Sequence, residues 1–183
     1  IRGKLEENKI MLRNNPQYET VLAALPPKLF RAWTLGDYDA LEGQYFDTWS
    51  SFYHVVKSFE IPSEWAIYQS LDWGFENPLA CHWWAIPPAA DHVYCIREYY
   101  MTHKNSDVAA GEIHDISCKM FGSNYISSGR IKKMYADPSI WNQVGRNKSG
   151  KFIAEDFMAN IQERTPSGEK RSLLIVPADN SRI

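Results

Sequence analysis

Short runs rich in β-branched and aromatic residues, at 53–59, 65–72, 79–86 and 92–101, precede one stretch of helical spacing and a further apolar run, and that order admits few folds. Pro62, the Asn77-Pro78 pair, and Pro87-Pro88 with Asp91 punctuate the runs, as turn-forming residues do between strands. Runs 65–72, 79–86 and 92–101 therefore predict three strands of an antiparallel meander. Residues 107–121 then carry Val108, Ala109, Ile113, Ile116 and Met120 at helical spacing, with Ser106 as the expected cap. A strand over 131–135 follows, then a helix over 151–162 with Phe152, Ile153, Phe157 and Ile161 on one face, and a last buried strand over 172–176. This order predicts an α/β fold, a mixed five-stranded sheet flanked by helices. The helical crossover lets strand 131–135 lie parallel beside strand 65–72.

Each of those two strands ends in an acid. Leu71-Asp72-Trp73-Gly74 closes the first and Ala136-Asp137-Pro138-Ser139 the second. Taken singly, Asp72 starts a turn and Asp137 caps the helix after it, which are ordinary duties of aspartate. Parallel neighbours, however, would bring both carboxylates to one end of the sheet. Two carboxylates there can share hard cations such as Mg²⁺, which bind through one or two carboxylates plus substrate phosphates.

Composition narrows the classes. The chain has 183 residues, 44% hydrophobic and 14% aromatic, enough for a full core plus an appendage. A formal charge of −2 gives no global pull on nucleic acid, so a polyanion must be gripped locally or through metal ions. Cys81, Cys95 and Cys118 form no C-x-x-C pair and are odd in number, which fits a reducing cytoplasm. No apolar run approaches a membrane span and no signal peptide is present; the first residue is Ile, so the chain is expected to be part of a longer one.

Residues 1–48 differ in texture from 49–183. Tyr18, Val21, Leu22 and Leu25 read as a short helix stopped by Pro26-Pro27. Leu29, Phe30, Ala32 and Trp33 add a further turn or two before the turn-rich Gly36-Asp37-Tyr38-Asp39. This is the pattern of a small helical linker subdomain.

Five pieces in order, Leu35-Gly36-Asp37-Tyr38-Asp39, Gly43-Gln44-Tyr45-Phe46, Leu71-Asp72-Trp73-Gly74, Arg97-Glu98-Tyr99-Tyr100 and Ala136-Asp137-Pro138-Ser139-Ile140-Trp141, resemble the large terminase subunit of tailed bacteriophages. The resemblance runs from about Pro16 to about Phe157. It implies a ribonuclease H-like nuclease over 49–183, preceded by the linker that ends the ATPase region, with the ATPase itself outside this chain. It further implies cutting of concatemeric double-stranded DNA with Mg²⁺ or Mn²⁺, two ions in all, held by Asp72 and Asp137, with Asp72 as the bridge. The terminase small subunit, the portal protein and the ATPase of the same polypeptide are the implied partners, and the host bacterial cytoplasm the implied location. The family's third carboxylate lies beyond the last strand, where this chain offers Asp179 alone, in a turn context.

Other residues are weighed beside these. Glu98, on a meander strand, is either a further metal ligand or a charge on an exposed face. Residues 145–151 have the spacing of a phosphate-binding loop, but Phe152 stands where Ser or Thr would hold Mg²⁺ and no buried strand precedes them. Arg146, Lys148 and Lys151 read instead as a basic loop touching DNA phosphates. His54, His82, His92, His103 and His114 show no zinc spacing, and His82 is expected to pack beside Trp83-Trp84. A ribonuclease H-like resolvase or transposase, and an inactive module that binds DNA or portal, are the alternatives; the connector before residue 49 argues against the first.

Overall fold

The computed structural model describes residues 4–36, 48–142, 150–179 and 181. The chain divides into two compact units, Ile1–Phe59 and Glu60–Ile183.

The first unit holds a 3-10 turn, Leu5–Glu7, and helices α1 (Lys9–Asn14), α2 (Tyr18–Ala23), α3 (Pro27–Leu35) and α4 (Ser51–His54). The proline pair acts as expected: α2 stops before it, and Pro27 opens α3, where its missing N–H costs nothing. Gly36 closes α3 in the left-handed region at φ 60°, which glycine enters without a Cβ penalty. Among the described residues of this unit only Leu22 is buried. The β-branched and aromatic run 53–59 forms no strand: Ser51–His54 is helical and 55–59 has no regular structure. Local contacts decide this. His54 Nδ1 lies 3.0 Å from the Ser50 nitrogen and its ring stacks on Trp49 at 4.9 Å, whereas a strand would need a neighbouring strand to satisfy its backbone.

The second unit begins with the meander β1 (Ala66–Asp72), β2 (Leu79–Ile86) and β3 (Tyr94–Met101), crosses through α5 (Ser106–Phe121), and returns as β4 (Ile131–Ala136). Then come α6 (Ile153–Asn160), a short hairpin β5 (Gln162–Arg164) and β6 (Lys170–Ser172), and β7 (Ile175–Pro177). The main sheet has the order β3-β2-β1-β4-β7, with β1–β2 and β2–β3 antiparallel and β1–β4 and β4–β7 parallel. This is the expected mixed five-stranded α/β sheet, with the ribonuclease H-like order.

Alternation along β1 and β2 sets the sheet's two faces. Ile67, Gln69 and Leu71 of β1 and Leu79, Cys81, Trp83 and Ala85 of β2 are buried, and Ala109, Ala110 and Ile113 of α5 and Phe157 of α6 join them in one core. Ser117 of α5 organises the polar part of that core: its Oγ accepts from Gln69 Nε2 and Trp83 Nε1 and donates to the Ile113 carbonyl. Burial without such partners would be costly.

Three differences from expectation have physical causes. Asn105, not Ser106, is the cap of α5; Ser106 is buried and its hydroxyl donates to the Asp156 carboxylate, tying α5 to α6. The helix expected over 151–162 is shorter at both ends, because Gln162 is taken into the β5–β6 hairpin. The expected strand 172–176 splits between that hairpin and β7, since Ser172 pairs with Gln162 while Ile175 pairs with Met134.

Candidate active site

The parallel register of β1 and β4 builds the site. Ser70 stands beside Tyr135 and Leu71 beside Ala136, and the Asp137 N–H donates to the Leu71 carbonyl at 2.9 Å. Asp72 and Asp137 therefore end neighbouring strands at the same edge, one strand spacing of about 4.8 Å apart in the backbone. Leu71 and Ala136 are buried toward the helices, so the alternation turns the next residue of each strand to the opposite face.

Local chemistry fixes each acid differently. The Asp72 side chain is exposed and makes no hydrogen bond or ion pair among the described residues. The chain after it is held tightly: the Trp73 ring meets Phe157 of α6 edge to face at 5.9 Å, and a Cβ at Gly74 would come within 2.3 Å of the Asn77 carbonyl oxygen. Asp137 caps the 3-10 turn Pro138–Trp141, its Oδ1 accepting from the Ser139 N–H at 2.7 Å. The buried Ile140 anchors that turn in the core. The capping duty expected of Asp137 is thus visible, while Asp72 ends β1 without a turn-forming hydrogen bond among the described residues.

The other sequence candidates are not brought to the pair. Glu98 faces His82 in register, with Oε1 3.1 Å from His82 Nε2. Asp72 shares a row with Ala80 and Tyr100, so Glu98 is two strands across and two residues back, about 12 Å from Asp72 in the backbone. Asp179 does lie at the same edge, since Ala178 N–H donates to the Ala136 carbonyl at 2.8 Å. Its own Oδ1 accepts from the Ser181 N–H at 2.8 Å, and that backbone hydrogen bond holds its carboxyl below the usual range. No cluster of three His, Cys, Asp or Glu suited to a metal occurs among the described residues. Lys151 is exposed just before α6, while Arg146 and Lys148 lie outside the described residues. His82 packs against Trp84 at 5.5 Å, and Trp83 is fully buried.

Residues that the sequence hides also reach this edge. Phe75 and Glu76, in a segment legible only as a turn, and His103, one of five scattered histidines, stand in the loops beside the end of β1. Their signal was contact between loops, which a linear pattern does not carry.

No family model matches the chain, and no curated protein matches it in sequence. The solved structures it resembles are phage large terminases. The large terminase of the thermophilic bacteriophage D6E, in one crystal form, aligns over 95% of this chain and 35% of its own length, at 19% identity and a TM-score of 0.51. This chain shares its fold with a phage terminase. The P22 large terminase nuclease domain aligns over 67% of this chain and 50% of that one, at 13% identity and a TM-score of 0.44. The chain therefore spans about a third of the D6E terminase's length. The likeness to these terminases is one of fold. No described helix is long and apolar enough to cross a membrane.

Proposed function

We propose that this chain is the nuclease part of a phage DNA-packaging terminase and cuts double-stranded DNA by metal-assisted hydrolysis of a phosphodiester. The observation that carries the proposal is the parallel β1–β4 pairing, which ends two neighbouring strands in Asp72 and Asp137 on one rim. The terminase fold supports the assignment to packaging.

The residues fit hard cations. Mg²⁺ or Mn²⁺ takes oxygen ligands and is commonly held by one or two carboxylates together with substrate phosphates. Asp72, its side chain exposed and without a partner among the described residues, has both oxygens to offer. Asp137 is oriented by its Ser139 bond. Bound divalent ions, held by Asp72 and Asp137, would supply the activation of water and the steadying of the leaving 3′ oxygen. The two aspartates would act as ligands with no proton role of their own, and the stiff strand ends hold them in place. The sequence resemblance adds a small subunit, a portal protein and a motor domain as proposed partners, in the bacterial cytoplasm.

Nicking of supercoiled plasmid with Mn²⁺ tests this directly, with chelator and with Asp72→Asn run alongside. Metal-dependent nicking that the variant lacks is expected. Nicking that survives chelation or the substitution would sink the assignment, and a chain that binds DNA without cutting it would be the inactive module.

A further inference from the structure

The rim that carries Asp72 has a second built part. Two loops leave the sheet there: 73–78, joining β1 to β2, and 102–105, joining β3 to α5. They are stitched to each other. The His103 N–H donates to the Phe75 carbonyl at 2.8 Å, the two rings meet edge to face at 5.8 Å, and Glu76 Oε2 stands 3.7 Å from His103 Nδ1. Neither loop can relax freely. Gly74 has backbone oxygens where a Cβ would go, and His103 sits in the left-handed region at φ 55°, a conformation that glycine would take without strain.

Both side chains are nonetheless presented to solvent: Phe75 is 42% exposed and the His103 side chain 64%. Strain held at an exposed, non-glycine position points to use of the side chain. Asp72, Ala80 and Tyr100 share one row, so the end of β3 lies two strand spacings, about 10 Å, from Asp72, and His103 follows three residues after Tyr100. That distance suits a contact to nucleotides beside the cut.

We propose that Phe75 and His103 form a nucleotide-contact site flanking the scissile phosphate, an inference that rests on the nuclease reading. Phe75 wedges against a base of the DNA, as apolar side chains do at opened base steps. His103 meets a phosphate oxygen through Nε2, the ring nitrogen not turned to Glu76. Lys104, next in the chain, is not the phosphate contact, because its ammonium is held by Glu112 at 2.6 Å.

The test measures binding in a chain that does not cut. In an Asp72→Asn background, the affinity for a labelled DNA duplex is read by fluorescence anisotropy with Ca²⁺. Phe75→Ala and His103→Gly are each expected to weaken binding about tenfold, the scale of losing one stacking or phosphate contact, with unchanged circular dichroism. His103→Lys, which again offers a donor to a phosphate oxygen, is expected to recover most of the loss. His103→Phe separates the roles: it keeps a ring against Phe75 and removes the Nε2 contact, so a histidine that only holds the loops together would leave binding intact. Undiminished binding in both weakened variants, or no binding by the parent, overturns the site. Failure of the unsubstituted chain to nick plasmid is a separate result, and counts against the nuclease reading.

Discussion

The Asp72 side chain is exposed and bonded to nothing among the described residues, so the fold has little to lose with it. Asp72→Asn should leave the melting temperature unchanged and abolish nicking, measured on the same preparation. Asp137 is coupled to its turn. Asp137→Asn keeps an oxygen for the Ser139 N–H and should lose cutting alone, whereas Asp137→Ala should also lose about 1 kcal/mol of stability in denaturant titration, the usual cost of a lost cap. A third residue carries a pH signature. Lys104, and then the Tyr99 hydroxyl, hold the Glu112 carboxyl below its ordinary 4.5. A depressed folded value means a stabilisation present above pH 4.5 and lost as the pH falls through the folded value. The gap in urea midpoint between the parent and Glu112→Gln should therefore be present at neutral pH and close on acidification. At this scale the sequence was partly legible: Asp-x-Gly and Asp-Pro-Ser announced both turn and acid, but the pairing of Glu98 with His82 depends on a register that no single strand contains.

Between α5 and β4 one side chain does the work of several. Arg130 donates to the carbonyls of Pro62, Ser63 and Trp65 at 3.2, 2.9 and 2.7 Å and lies over the Phe121 ring. It thereby fastens the lead-in of β1 to the end of the crossover. Arg130→Ala should cost about 1.5–3 kcal/mol, as charged hydrogen bonds do when lost, and the loss should appear in chemical denaturation. The meander, α5 and β4 were all readable, because their periodicity belongs to residues that pack on one shared core. Run 53–59 has β-branched and aromatic content like that of a strand, yet it begins inside the helix Ser51–His54 and is irregular over 55–59. The β5–β6 hairpin went unread because its strands are three residues each and largely polar.

At the scale of the chain, burial is unequally shared. Apart from Leu22, every buried hydrophobic residue described lies in the unit Glu60–Ile183. Residues 60–183 expressed alone should melt cooperatively, and residues 1–59 alone should show no cooperative transition, checked by circular dichroism on heating. The fold of the larger unit was legible because strand order and the helical crossover constrain topology so strongly. A formal charge of −2 pointed to no surface suited to a polyanion.

The parallel pairing of β1 with β4 also orders events in time. A hairpin of β1 and β2 closes locally, but β4 reaches β1 only after the whole α5 crossover has docked, and contacts so distant in sequence form slowly. The acid pair therefore does not exist in a half-folded chain. Such an intermediate would carry Asp72 without its neighbour, and any divalent ion that favours the pair would draw the folding equilibrium toward the finished molecule.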